Sequence, residues 1–234
     1  MHYLFEGLGL IRQPGLRAYV VIPLIINVLV FFLLFGYGIS LVDTWLTAAM
    51  ADLPEWMSFM YWLVWLMVII TAVLIWFFCF TIVANLIASP FNALLSVKVE
   101  ERLTGEIQPG GDFKSLISVL PRTLAREFSK LLYYLPRLIG LVLITIIPGV
   151  NFLAPFLWLL FGAWMMAVQY TDFGADNNNV SFKELRQRLS EERMTSLSFG
   201  IIVYLMIAIP LLNLVVMPAA VAGGTVFWVE RLSE

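Results

Sequence analysis

Read for its apolar and charged positions, the chain is a succession of long uncharged runs separated by short charged segments. Ala18 to Val42 carries no charge and is long enough for one tilted membrane span at about 1.5 Å per residue, with Pro23 and Asn27 interrupting its apolar surface. Trp56 to Val97 is again uncharged and roughly twice the length that a hydrocarbon core requires, so as a helix it must tilt, bend or leave the membrane. Ser89-Pro90 is the expected bend, because proline removes a helix hydrogen bond and disfavours α geometry in the residue before it. Leu138 to Thr171 is cut at Pro148-Gly149-Val150-Asn151 and again at Pro155. Its first arm, Leu138 to Ile147, rises only about 15 Å and cannot span alone. Thr195 to Val229 repeats the design with Pro210-Leu211-Leu212-Asn213 and Pro218, and Trp164 and Trp228 follow at matching distances. The pattern predicts an internal repeat of two helical hairpins.

The charged segments carry their own periodicity. Met1 to Gln13 mixes Tyr3, Leu4, Phe5, Leu8, Leu10 and Ile11 with Glu6 and Arg12, which predicts a short interfacial helix. In Lys98 to Arg137, Phe113, Leu116, Leu120, Leu124, Phe128, Leu131 and Leu135 recur at three or four residues, as on an amphipathic helix. Pro121 should kink or start one of its parts. Arg122, Arg126 and Lys130 form one basic row on its other face, suited either to anionic lipid headgroups or to an anion vestibule. Ser181-Phe182-Lys183-Glu184 is a capping box that starts a short surface helix over 181–194, with Phe182, Leu185 and Leu189 on one face.

Composition confirms the class. With 61% apolar and 13% charged residues among 234, and a mean hydropathy of +0.91, the chain is an all-α integral membrane protein. One membrane domain over 1–234 is expected: interfacial helix and turn (1–17), first span (18–42), second long helix (56–97), cytoplasmic amphipathic segment (98–137), hairpin (138–171), surface helix (181–194) and hairpin (195–229). A removable leader has no obvious place. The loop 43–55 has three acids and no lysine or arginine, whereas Lys98 to Arg137 has seven bases against five acids. That asymmetry puts the loop outside and both termini inside. The net charge of −2 adds little.

Chemistry is sparse. One cysteine, Cys79, reads as a core side chain, and one histidine, His2, sits at the N-terminus, which excludes the common metal and nucleophile clusters. No cofactor, nucleic-acid partner or enzymatic activity is expected. No acid lies inside a long apolar run, which argues against an ATP-driven pump and against a proton relay of buried carboxylates. The outstanding stretch is Gln13-Pro14-Gly15-Leu16-Arg17, directly before the first span. Proline suits a first helical turn, glycine permits close backbone approach, and the N–H groups of Gly15, Leu16 and Arg17 would face an anion at the positive end of the helix dipole. Arg17 adds a planar fork for two oxygens. The same residues also serve an ordinary helix start whose arginine reaches lipid phosphate. Asn27, Asn85, Ser89 and Asn92 within the long runs, and Asn151 and Asn213 at the two breaks, are pathway candidates, because polar groups at that depth pair or line water. Arg122 and Arg126 are candidates if their row is a vestibule. Hydrogen bonding to a neighbouring helix, and ordinary kinked transmembrane pairs, account for the same residues.

Several stretches together resemble one family. Gln-Pro-Gly-Leu-Arg at 13 to 17, Ser-Pro-Phe-Asn-Ala-Leu-Leu at 89 to 95, Glu-Arg-Leu-Thr-Gly at 101 to 105, Tyr-Leu-Pro-Arg at 134 to 137, Ile-Pro-Gly at 147 to 149, Ala-Trp-Met at 163 to 165 and Ile-Pro-Leu-Leu-Asn-Leu at 209 to 214 resemble, in order and spacing, the CysZ sulfate permeases of bacterial inner membranes. The resemblance implies sulfate uptake for cysteine biosynthesis, two long transmembrane helices, two hairpins that penetrate part way, a homo-oligomer in the lipid bilayer, and a sulfate site at Gly15, Leu16 and Arg17. Some family members carry a second arginine where this chain has Ala18. A carrier or channel for a related oxyanion, and a membrane scaffold that transports nothing, are the rival readings.

Overall fold

The computed structural model describes residues 2–50, 58–106, 116–209 and 212–233, with side chains omitted at 49, 50, 58–61, 76–82, 85, 86 and 116–120. The side chains of Cys79, Asn85, Leu116 and Leu120, and all of Phe113 and Pro210, therefore lie outside the described residues. Among the described residues there are eight α-helices and no strand: α1 (His2–Leu10), α2 (Arg17–Met50), α3 (Ser58–Thr104), α4 (Leu116–Ile146), α5 (Ala154–Asn177), α6 (Phe182–Glu191), α7 (Arg193–Ile207) and α8 (Asn213–Phe227). The stretches Arg17–Ala48, Pro121–Ile146, Asn151–Asn177 and Asn213–Leu232 are long and apolar enough to cross a membrane. This is an all-α multi-pass membrane protein.

The chain groups into two compact units, one of residues 22–88 and one of residues 1–21 with 89–234. In the smaller unit Asn27 donates its amide to the Ala84 carbonyl at 3.5 Å, linking α2 to α3. Further along the pair, Phe35, Gly38, Ile39 and Val42 face Trp65, Ile69, Ala72 and Val73 across an apolar cavity of about 250 Å³. Pro90 does not end its helix: α3 runs through it to Thr104.

In the larger unit, backbones approach where residues are small, as in bilayers, where close packing takes over from the hydrophobic effect. A methyl group on Gly7 of α1 would strike the Ala219 carbonyl of α8, and one on Gly223 would strike the Tyr3 carbonyl in return. Gly200 of α7 meets the Ala163 carbonyl of α5 in the same way. Helix α1 is consequently a core element, with Tyr3 and Leu4 fully buried, rather than a purely interfacial one. Only Phe5 of its large apolar residues is left well exposed, at 60%.

The paired breaks fall where the sequence pattern places them, and they share a hydrogen-bond scheme. At the first tip Asn151 donates its N–H to Ile147 at 3.2 Å and Leu153 to Val150 at 3.0 Å; at the second, Asn213 donates to Ile209 at 3.2 Å and Val215 to Leu212 at 3.0 Å. The arms differ from expectation. Leu138 to Ile147 is not a separate half-length arm but the end of α4, whose 31 residues run through both Pro121 and Pro136. A face of α4 that packs along α5 carries the helix past its prolines, a tertiary gain that local propensity does not contain. In the second hairpin α7 has 15 residues, a rise of about 22 Å, which is less than a hydrocarbon core.

A series of polar pairs runs along the α4/α5 hairpin. From the tip inward, the Trp158 indole donates to Thr145 (3.1 Å), the Trp164 indole to the Tyr133 hydroxyl (3.0 Å), and Gln169 to Glu127 (3.3 Å). Two further rungs, Arg126–Asp172 and Arg122–Asp176, are ionic. Between the hairpins, the Ser181 hydroxyl accepts from the Glu184 N–H at 3.2 Å, so the capping box forms, and Leu185 and Leu189 of α6 are buried.

Candidate functional site

The turn joining α1 to α2 is built from four residues. The Gln13 carbonyl accepts from the N–H groups of Leu16 and Arg17, each at 3.2 Å, and Gly15 has φ of +92°. Proline followed by a left-handed glycine is the signature of a type II turn, and only glycine takes that φ without strain. Helix α2 thus begins at Arg17 rather than at Pro14, and of the three N–H groups expected to face a ligand, two are engaged inside the turn. The proline-glycine pair closes on its own carbonyl before the helix starts. Among the described residues no carbonyl accepts from the N–H of Gly15 or of Ala18.

Leu16 fastens this turn. It is 3% exposed and joins Tyr19, Leu94, Leu95 and Val99 in the core, while Gly15 and Arg17 on either side are exposed. Arg102, in the last turn of α3, donates Nη1 to the Pro14 carbonyl at 3.3 Å. Among the described residues Arg12, Arg17 and Arg102 have no carboxylate partner. The turn therefore offers hydrogen-bond donors and uncompensated positive charge, the chemistry of an oxyanion seat. Sequence reasoning did not single out Arg102, because nothing local brings residue 102 to residue 14.

Behind the turn lies a polar layer that was also missed. Glu100 is 3% exposed and accepts from the side-chain amides of Asn177 (2.8 Å) and Asn178 (2.6 Å) at the end of α5. The Asn177 amide also reaches the Ser96 hydroxyl (3.0 Å), which lies 2.8 Å from the Thr225 hydroxyl of α8. These bonds fasten the end of α3 to both hairpins. The consecutive asparagines at 177 to 179 were the one available signal.

Each base of the α4 row is paired with a carboxylate, although Arg122 is itself exposed. Arg126 grips Asp172 through Nη2 (2.5 Å) and Nε (3.3 Å) and also donates to the Val180 carbonyl (2.8 Å). Lys130, 2% exposed, is 2.6 Å from Glu127 and 3.3 Å from Asp172, and Arg122 pairs with Asp176 at 3.1 Å. Three bases meet three acids, so the cluster is self-neutralised. Although no acid lies inside a long apolar run, two carboxylates next to one are buried: Asp172 is 3% and Asp176 8% exposed. Both follow the apolar run directly, and α5 continues to Asn177, so acids four residues apart face bases four residues apart.

The Oδ1 of Asn27, the Oγ of Ser89 and the Oδ1 of Asn213 are buried without a partner. Asn92 is half-buried, and Asn151 is exposed at its hairpin tip.

Comparison with known proteins follows the same lines. The profile of the family described as Sulfate transporter CysZ/Etoposide-induced protein 2.4 matches residues 3–218. The protein named Sulfate transporter CysZ in Pseudomonas aeruginosa (strain LESB58) is 47% identical over 233 residues, which cover 99% of this chain and 95% of that one. Its namesake in Pseudomonas fluorescens (strain Pf0-1) is 48% identical over 237 residues, 99% of this chain and 94% of that one. A third, from Pectobacterium atrosepticum, is 40% identical over 232 residues, 99% of this chain and 84% of that one. With a profile that covers the paired hairpin tips and the Gln13–Arg17 turn alike, and relatives similar along their whole length, this chain belongs to the Sulfate transporter CysZ/Etoposide-induced protein 2.4 family.

Proposed function

We propose that this chain carries sulfate across the bacterial inner membrane, supplying sulfate for assimilation and cysteine biosynthesis, and that its first anion seat is the turn at Gly15 to Arg17. The observation that carries the reading is near-full-length similarity to relatives named as sulfate transporters. The geometry of the turn agrees with it. Sulfate at neutral pH is an unprotonated dianion, so a site of donors alone favours it over a protonated phosphate, whose O–H would need an acceptor. The Gly15 N–H and the Arg17 guanidinium are such donors, and Arg102 braces them through Pro14. Leu16 serves by anchoring the turn, since its own N–H is taken by Gln13.

The test is radiolabelled sulfate flux into proteoliposomes, with and without an imposed pH gradient. Saturable uptake that unlabelled sulfate suppresses is the expected result, and competition by sulfite or thiosulfate ranks related oxyanions. Flux no greater than into protein-free liposomes overturns the proposal in favour of a scaffold.

A further inference from the structure

Arg137 differs from the other bases of α4. Arg122, Arg126 and Lys130 are each met by a carboxylate of α5, yet Arg137, two turns further on, pairs with no acid among the described residues. Its Nη1 donates to the Tyr133 carbonyl at 2.8 Å, and its guanidinium carbon lies 3.6 Å from the centroid of the Tyr133 ring. Arg186, arriving from α6, stands 4.4 Å from the centroid of that same ring. It too lacks a carboxylate among the described residues, and its Nε goes to the Phe182 carbonyl at 3.4 Å. The ring is held in place. The Trp164 indole donates to the Tyr133 hydroxyl, and Phe182 packs edge-on at 5.6 Å.

With their carbons 3.6 and 4.4 Å from one ring centroid, the two guanidiniums stand no more than about 8 Å apart, within reach of each other at a Debye length of about 8 Å, so they repel, and the ring quadrupole offsets only part of that cost. Each has committed one of its five N–H donors, so most of both forks remain unspent. Arg137 also lies within the apolar stretch Pro121–Ile146, where a charge without a partner is costly. A tetrahedral oxyanion that bridges the two forks removes the repulsion and uses the free donors together. From this juxtaposition we infer that Arg137 and Arg186, converging on Tyr133, form a second oxyanion seat, distinct from the turn at Gly15 to Arg17. The oxyanion chemistry is shared by a lipid headgroup phosphate and by free sulfate. Arg186 belongs to an amphipathic helix with Leu185 and Leu189 buried beneath it, and such a helix at a membrane lies at headgroup depth.

The seat is tested on the purified, delipidated full-length protein in detergent, comparing the parent with Arg137→Gln, Arg186→Gln and the double variant. One arm follows phosphatidylglycerol occupancy by native mass spectrometry, and the other follows sulfate binding by calorimetry. Arg17→Ala is carried in parallel, so that loss at the first seat is told apart from loss at the second. The double variant should lose one lipid or one sulfate per chain, and each single variant should weaken that binding roughly tenfold, as expected for one charge-assisted contact. Loss in the lipid arm identifies headgroup phosphate as the occupant, and loss in the sulfate arm alone identifies the free anion. Should Arg137→Gln fail to fold, Arg186→Gln, on the surface helix, carries the test. Folded variants that keep both lipid and sulfate at the parental level overturn the seat.

Discussion

At the scale of the residue, charge partnership separates arginines that look alike in the sequence. Arg126 is consumed by Asp172 and the Val180 carbonyl, whereas Arg17 stands exposed beside a free Gly15 N–H. We predict that Arg17→Ala removes a charge-assisted contact of about 1.5–3 kcal/mol and weakens sulfate binding by roughly one to two decades, measured by calorimetry. Arg17→Lys should recover the charge and only part of the affinity, because the fork is lost. Arg102→Ala should weaken binding by a smaller factor, since it acts through the Pro14 carbonyl; unchanged affinity there would remove Arg102 from the seat. The buried cluster behaves oppositely. Asp172→Ala removes the carboxylate that Arg126 and Lys130 share, leaving two bases with only Asp176 (3.4 Å) and Glu127 (2.6 Å) at a site where the Lys130 side chain is 2% exposed, so it should cost about 3 kcal/mol of stability. Thermal melting in detergent measures this, and a melt like the parent's would mean the cluster contributes nothing.

At the scale of the element, the closest packing follows glycines. Gly7→Ala places a methyl group against the Ala219 carbonyl, an atom that cannot rotate away, so α1 and α8 must separate. A loss of about 1–3 kcal/mol is expected for such overpacking. Gly9→Ala on the same short helix meets open space and is the matched control. Equal melting of the two variants would show that α1 is not a packed element. The hairpins illustrate what a break pattern conveys. Their tips were legible because proline and asparagine act locally, through a missing N–H and a tight turn. Their arm lengths were not, because the continuation of α4 through Pro136 and of α5 past Asp172 depends on what each helix faces.

At the scale of the whole molecule, the distribution of charge sets orientation. All 14 lysines and arginines fall in segments assigned to one side, and none lies between 43 and 55. In a background with Cys79 replaced by alanine, a cysteine at Thr44 should react with an impermeant reagent from outside the cell, and one at Glu106 only after permeabilisation. Equal labelling of both sites from both sides would exclude a single fixed orientation. The class, the long apolar helices, the paired breaks, the capping box at Ser181 and the proline-glycine turn before the first span were all legible in the sequence alone. Each follows from composition, from periodicity or from residues within a turn of one another, where local sterics and the hydrophobic effect suffice. The tertiary structure alone decided which charges are free. It brought Arg102 to Pro14, set Asp172 and Asp176 against Arg126, Lys130 and Arg122, joined Glu100 to the amides of Asn177 and Asn178, and left Arg137 and Arg186 facing one ring. Those pairings are distant along the chain, and the energy of a charge depends on what stands next to it in space, so no local pattern encodes them.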